Sequence, residues 1–169
     1  MTALREVALH QSAVGRLFLH SMPGRNEPLA EVWQQVQAQG ITAIVNLAPA
    51  EEVQKKSPEY AKAIATETIP CEVWPLPVPD FAAPTDDASF SQLAHRVAAA
   101  LRAGQAILIH CGAGIGRTGT VAVAALLALG SPIGEARRLV RAAGSGPEVP
   151  GQEAALERFE AALKSEPTK

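Results

Sequence analysis

The sequence has few of the residues that mark several common classes of protein. Its 169 residues include two cysteines, too few for a disulfide framework, and its four histidines show no paired metal-ligand spacing. Basic side chains number 15 and acidic ones 17, so the net charge is −2, which argues against a broad basic surface for nucleic acid. We therefore expect no metal, no cofactor and no nucleic-acid partner.

Long apolar segments are also missing. The longest wholly apolar run, Val121 to Leu129, is too short to span a bilayer. Arg5, Glu6 and Arg16 interrupt the apolar residues near the N-terminus, so no secretory signal is predicted. A cytoplasmic protein without a membrane span is the expectation, and the length suits one domain over residues 1–169.

Short apolar segments alternate with amphipathic ones along most of the chain. This alternation predicts an α/β fold, a three-layer sandwich whose mainly parallel central sheet is flanked by helices. The strand order cannot be read from the sequence. The predicted strands are Leu4 to Leu9, Gly15 to His20 (possible hairpin partners), Ile41 to Ala48, Ile69 to Leu76 and Ala106 to His110. The predicted helices are Glu27 to Gln39, Glu51 to Thr66 with a break at Pro58, Asp86 to Ala103, the apolar run ending at Leu129, Ser131 to Ala143, and Pro150 to Leu163.

The segment from His110 to Gly119 carries the clearest chemical signal. It lies between a short apolar strand and a long apolar helix, and three glycines occur within five positions. Successive backbone N–H groups of such a loop can converge on one anion, and the helix N-terminus adds partial positive charge. These surroundings suit a phosphate and favour the thiolate form of Cys111 over the thiol.

Arg117 follows Cys111 after five residues, enough chain to wrap once around a tetrahedral oxyanion. A guanidinium there can hold two phosphoryl oxygens at once, as a lysine cannot. No Lys-Ser or Lys-Thr pair follows the glycines, so the loop is not the nucleotide-binding P-loop. The simpler interpretation is a strand-to-helix turn with packing glycines and an inert buried thiol.

The pattern His110-Cys111-x5-Arg117-Thr118 resembles the active-site loop of the cysteine-dependent protein tyrosine phosphatases. The short chain is most similar to the small atypical dual-specificity phosphatases and their prokaryotic relatives. The resemblance implies a phosphocysteine on Cys111, with Thr118 bonded to the sulfur and His110 ordering the loop. It also implies that the phosphate is held by the loop residues Gly112, Ala113, Gly114, Ile115, Gly116 and Arg117.

The leaving oxygen of a phosphate ester needs a proton, so a carboxylic acid should face this loop. In the family this acid is an aspartate about 30 residues before the cysteine. Asp80, between the prolines Pro79 and Pro84, fits that position. Asp86 and Asp87 compete for the role but suit a helix N-terminus better.

Two further residues, Gln152 and Cys71, can each be interpreted in two ways. Family members often place a glutamine after the penultimate helix to orient the hydrolytic water, and Gln152 lies in a similar place, although Pro150 and Gly151 before it depart from the family. It is equally interpreted as a polar residue at a helix start. Cys71 is a buried apolar residue or the partner of Cys111 in a reversible disulfide.

The function predicted from these residues is a metal-independent phosphomonoesterase acting on phosphotyrosine proteins, with some activity on phosphoserine and phosphothreonine. A phosphoinositide or RNA 5′-phosphatase is an alternative on the same scaffold, but no lysine in the loop is available for extra phosphates. A catalytically silent phosphate-binding module is the alternative from another class of protein.

Overall fold

Five strands form one sheet whose inner strands are parallel. The computed structural model describes residues 3–9 and 13–166. Within them the strand order is β1-β2-β5-β3-β4; β1 is antiparallel to β2, and the other neighbours are parallel. The strands are β1 (Arg5–Val7), β2 (Arg16–His20), β3 (Ile41–Asn46), β4 (Glu72–Pro75) and β5 (Ala106–His110).

Helices cover both faces of the sheet, as the strand and helix alternation predicts. Those of the described residues are α1 (Leu29–Ala38), α2 (Ala50–Lys56), α3 (Pro58–Ala65), α4 (Asp87–Arg102), α5 (Gly116–Ala128), α6 (Ile133–Ala142) and α7 (Pro150–Ser165). The larger core cluster joins one face of the sheet to α4, α5, α6 and α7. A smaller cluster joins the other face to α1, and a third lies under α2 and α3. The predicted α/β sandwich is therefore confirmed.

The central strand β5 is apolar on both faces because both are covered. Ile107 and Ile109 belong to the larger cluster, whereas Ala106 and Leu108 belong to the smaller one. The strand leads directly into the glycine-rich loop, which α5 follows. The side chains of α5 are buried along almost its whole length. Burial on all sides explains why this helix has an apolar sequence without an amphipathic stripe.

Three predicted boundaries differ from the structure for identifiable reasons. The first helix begins at Leu29 rather than at Glu27, because Pro28 caps it and Glu27 bonds His20 instead. Strand β3 ends at Asn46, whose side chain accepts the N–H of Ala48 and turns the chain. Strand β4 covers only Glu72–Pro75 of the longer predicted segment.

The parallel arrangement determines which loops meet. Strands β2, β3 and β5 end at the same edge of the sheet, where Asn46 is paired with His110 and His20 also with His110. The segments that follow these strands therefore surround the glycine-rich loop. None of the helices in residues 3–9 and 13–166 combines the length and apolar character needed to cross a bilayer.

Candidate active site

The carbonyl groups of the glycine-rich loop are turned outward by hydrogen bonds from neighbouring segments. Because a trans peptide directs its N–H opposite to its C=O, each outward carbonyl sends the next N–H in the opposite direction. The loop can thus present converging N–H groups to an anion. The bonds are Met22 N–H to Gly112 O at 3.0 Å, Arg5 Nη2 to Gly114 O at 2.7 Å, Ser145 Oγ to Gly114 O at 2.6 Å, and Gly146 N–H to Ile115 O at 3.2 Å.

Cys111 lies at the base of this loop and is only 2% exposed. Its Sγ accepts a hydrogen bond from the N–H of Gly114 at 3.2 Å. Gly114 has a φ of +77°, and a Cβ there would lie 2.4 Å from the carbonyl oxygen of His20. Only glycine can therefore hold this position, which supports the sulfur with a backbone donor.

Thr118 follows Arg117 in the first turn of α5 and is fully buried. The resemblance implies a hydrogen bond from its hydroxyl to the sulfur of Cys111. That bond is not formed in this structure: the Thr118 Oγ1 has no hydrogen-bond partner among the described residues, and Gly114 supplies the donor at the sulfur.

Arg117 is almost fully buried, and its guanidinium bonds two carboxylates and a carbonyl. Nη1 and Nη2 donate to the two oxygens of Glu52 at 3.0 and 2.9 Å, which makes a bidentate pair. Nη1 also donates to the carbonyl of Val78 at 2.8 Å, and Nη2 to Asp80 Oδ1 at 3.1 Å. The guanidinium plane is thus fixed beside the loop before any ligand is considered.

In the ion pair of Arg117 and Glu52, the electrostatic interactions oppose the effect of burial on both pKa values. Burial alone would lower the pKa of Arg117, but the bonds to Glu52 and the charges of Cys111, Glu52 and Asp80 raise it. Burial would likewise raise the pKa of Glu52, but the bonds and charges of Arg117 and Lys56 hold it below its usual value. Both groups are therefore ionised at neutral pH.

The structure brings Asp80 to the loop and leaves its competitors elsewhere. Besides its contact with Arg117, Asp80 lies 3.9 Å from Lys56 Nζ, and its side chain is half exposed. Asp86 caps α4, where it accepts the N–H of Ala88 and the hydroxyl of Ser89. Asp87 pairs with Arg158 on the surface. Among these three aspartates, Asp80 has the position of a general acid.

His110 has the contacts of a residue that orders the loop. Its Nδ1 lies 3.1 Å from the carbonyl oxygen of Cys111, and its Nε2 lies 2.8 Å from the hydroxyl of Tyr60. Burial lowers the pKa of His110 to about 4, so the ring is neutral at pH 7. Since a carbonyl can only accept, the proton lies on Nδ1 and Tyr60 donates to Nε2.

Gln152, which is 1% exposed, connects two loops beside the site. Its Oε1 accepts the N–H of Glu148 at 2.8 Å, and its Nε2 donates to the carbonyl of Ala82 at 3.0 Å. A Cβ on Gly116 would lie 3.1 Å from Oε1, so the amide oxygen is next to the start of α5. The side chain thus joins the loop of Asp80 to the segment that precedes α7, next to the start of α5.

Cys71 is too far from Cys111 for a disulfide. Glu72 pairs with Ala43, Ala43 pairs with Ile107, and Cys111 lies four residues beyond Ile107. At about 3.3 Å per residue the two cysteines are roughly 13 Å or more apart along the strands, whereas disulfides need Cα atoms within about 7 Å. Burial, with the charge of Glu72, raises the pKa of Cys71 to about 11, so its thiol is inert at neutral pH.

Sequence reasoning missed several residues that contact the site, among them Glu52, Tyr60, Arg5 and Ser145. Glu52 lies in α2 and Tyr60 in α3, the two helices that follow β3, and a position beyond the carboxyl end of a parallel strand is the signal that could have identified them. Arg5 and Ser145 give no such signal, because they reach Gly114 only through the pairing of β1 with β2 and the turn after α6.

Comparison with known proteins agrees with this geometry. The model of the family described as "Polymorphic toxin system, DSP-PTPase phosphatase" matches residues 20–131. This range includes the whole loop, Glu52 and Asp80. No curated protein matches the chain.

Three solved structures are similar over nearly the whole chain. Kinase associated phosphatase (KAP), with its catalytic-site cysteine replaced by serine, has 20% identity and a TM-score of 0.80, covering 97% of each chain. The active form of Tk-PTP has 30% identity and a TM-score of 0.69, covering 90% of this chain and 99% of its own. PTPMT1 in complex with PI(5)P has 17% identity and a TM-score of 0.71, covering 92% and 96%.

The family match covers more than half of the chain, and Tk-PTP reaches 30% identity over nine-tenths of it. The loop that carries Cys111 and Arg117 lies within the residues that the family model matches. The chain therefore belongs to the family of DSP-PTPase phosphatases.

Proposed function

We propose that the protein is a phosphomonoester hydrolase that acts through a phosphocysteine on Cys111. One observation carries the proposal: the loop that holds Cys111 at its base has its carbonyls bonded from outside, and the arginine that follows it, Arg117, bonds Asp80 at 3.1 Å. An inert turn would not need a buried arginine fixed by a bidentate carboxylate, because that arrangement desolvates charge without adding apolar packing.

In the first step the thiolate of Cys111 attacks the phosphorus in line with the ester oxygen. The S–P bond forms as the P–O bond to the alcohol or phenol breaks, and Asp80 donates a proton to the leaving oxygen. The loop N–H groups of Gly112, Ala113, Gly114, Ile115 and Gly116 and the guanidinium of Arg117 hold the phosphoryl oxygens. Donors fixed before the reaction stabilise the charge that develops on these oxygens.

In the second step water attacks the phosphorus and the P–S bond breaks. Asp80, now a carboxylate, takes a proton from the water, and Cys111 leaves as the thiolate with inorganic phosphate as product. The Oε1 of Gln152 has a second lone pair that can accept a hydrogen bond from this water. Thr118, whose hydroxyl is unpartnered, would turn it to the sulfur as negative charge returns there.

We infer that the substrates are phosphotyrosine proteins, with phosphoserine and phosphothreonine as secondary substrates. Two cations beside the loop are paired with carboxylates: Arg117 with Glu52 and Asp80, and Lys56 with Glu52 at 3.3 Å. Arg5 uses its guanidinium on the carbonyls of Gly114 and Ala143 and on Ser145. Glu148 adds a third carboxylate, since a Cβ on Gly116 would lie 2.4 Å from its Oε2. A site ringed by carboxylates favours a single phosphate with few other negative charges.

The same carboxylates argue against a phosphoinositide, although PTPMT1 was solved with PI(5)P. Extra phosphates on the ligand would need unpaired lysines or arginines near the loop. The loop itself contributes one arginine and no lysine.

Trapping the intermediate tests the proposal. Wild-type protein mixed briefly with p-nitrophenyl phosphate and quenched in acid should carry one phosphoryl group on the peptide that contains Cys111. The Cys111→Ser variant should carry none, and Cys71→Ser should behave as wild type. Phosphoryl groups on another residue, or on none despite phosphate release, would overturn the proposed mechanism.

A further inference from the structure

We propose that Arg5 is a positioning residue for the phosphate-binding loop, an inference that rests on the proposed phosphatase function. Arg5 belongs to β1, the edge strand, where it pairs with Leu19 of β2. Its Nη2 donates to the carbonyl of Gly114 at 2.7 Å, and its Nη1 donates to the carbonyl of Ala143 at 2.7 Å. A single guanidinium thus ties the middle of the loop to the end of α6.

Ser145 completes this contact from the other side. Its Oγ accepts from Arg5 Nη1 at 3.0 Å and donates to Gly114 O at 2.6 Å, and it is 4% exposed. The Gly114 carbonyl therefore accepts two hydrogen bonds, one from a charged group. Such bonds are stronger than neutral ones and hold a fixed geometry.

The peptide plane explains what this contact does for catalysis. A trans peptide is planar, so fixing the carbonyl of Gly114 also fixes the N–H of Ile115 in the opposite direction. That N–H is directed away from Arg5 and Ser145. Glycine at position 114 would otherwise leave the peptide free to rotate, because glycine adopts both signs of φ with similar ease. Arg5 thus prevents rotation of the peptide between Gly114 and Ile115, and the loop must lose this rotation to hold a phosphate.

Burial lowers the pKa of the Arg5 guanidinium, and the charge of Cys111 opposes this effect. Arg5 and Arg117 stand in different segments, and only Arg117 lies within the family match at residues 20–131.

Substitutions at Arg5 test the proposal against a matched control. Arg5→Met should lower kcat/KM for p-nitrophenyl phosphate by about tenfold or more, and Arg5→Lys, which keeps the charge and one donor, should recover part of the loss. Vanadate affinity should fall in parallel in Arg5→Met. Arg16→Met, which removes an exposed arginine paired with Glu6 on the adjacent strand, should change none of these values.

The outcomes separate this inference from the proposed function. If wild type turns over substrate and Arg5→Met matches it in turnover and in vanadate binding, Arg5 has no positioning role. A loss confined to thermal stability, with kcat, KM and vanadate affinity unchanged in the folded variant, also overturns it. If wild type shows no turnover, the proposed function fails, while vanadate binding by wild type and Arg5→Met still decides whether Arg5 orders the loop.

Discussion

Arg117 shows how a single side chain in this protein depends on partners that lie far away in sequence. Its guanidinium is held by Glu52, which is 65 residues earlier in the chain, and by the carbonyl of Val78, 39 residues earlier. These contacts fix the plane of the guanidinium and use its four Nη hydrogens. We propose that a phosphate is held by Nε–H together with the Nη2–H that bonds Asp80 in this structure. A bidentate grip that is preorganised costs less entropy than one formed from a mobile side chain.

Glu52→Gln tests this preorganisation. The amide can accept one hydrogen bond from Arg117 but cannot form the bidentate ion pair, so kcat/KM should fall by about tenfold, with vanadate affinity falling in parallel. Steady-state kinetics and vanadate inhibition measure both effects. Glu51→Gln, which changes the exposed neighbour on α2, is the matched control and should leave both values unchanged. Equal losses in the two variants would mean that the loss of any negative charge on α2, and not the loss of the bidentate contact, lowers the activity.

Asp80→Ala tests the general acid. A poor leaving group such as an alkyl phosphate needs the proton, whereas a good one such as p-nitrophenol needs it less. The variant should therefore lose roughly 100-fold or more in kcat with the alkyl ester, and much less with the nitrophenyl ester. Asp86→Ala, at the N-cap of α4, should affect stability and not this ratio. Equal losses with both esters would assign the acid to another residue.

At the scale of secondary-structure elements, a feature could be predicted when the residues that determine it are contiguous in the sequence. The β5-loop-α5 unit was predicted at its observed position because its strand, glycines and apolar helix are contiguous in sequence. The cap of α4 was a local signal as well: the sequence offers Thr85 or Asp86, and in the structure Asp86 is the cap. The strand order, the contact of Glu52 with Arg117 and the contact of Arg5 with Gly114 depend on which strands pair. A sequence pattern does not show which residues make such distant contacts, although the position of Glu52 after a parallel strand indicates that it lies near the site.

Close packing between α5 and the turn after α6 is a further element-scale feature. A Cβ on Gly119 would lie 2.2 Å from the N of Gly146, so Gly119→Ala should lower the free energy of unfolding by about 1–3 kcal/mol. Gly134→Ala in α6 has nothing within 4 Å and should be neutral or stabilising by about 0.5 kcal/mol. Urea denaturation of both variants and of wild type measures the two changes in the free energy of unfolding. Similar effects in the two would contradict the close approach of α5 to this turn.

At the scale of the whole molecule, the net charge is only −2, yet many buried polar side chains surround the loop. The buried polar residues there include His20, His110, Arg117, Thr118, Ser145 and Gln152. Burial lowers the pKa of His20, despite its 2.5 Å contact with Glu27, as well as that of His110. Folding therefore keeps these histidines neutral at pH values where the unfolded chain would protonate them.

This burial predicts a loss of stability in mild acid. For His110 the folded pKa is about 4 and the ordinary value is 6.5, so between these pH values the unfolded chain binds more protons. The free energy of unfolding should thus fall as the pH is lowered from 6.5 towards 4. Urea denaturation across this range measures the slope. The slope should be shallower in His110→Asn, and an equal slope in that variant would contradict the assignment.

The central claim is that Cys111 alone supplies the nucleophile of a phosphatase that needs no metal. The most direct measurement is steady-state release of p-nitrophenol from p-nitrophenyl phosphate in excess chelator, by wild type and by Cys111→Ser. We predict sustained turnover by wild type and none above background by the variant. Equal release by the two proteins, or wild-type activity that disappears with the chelator, would contradict it.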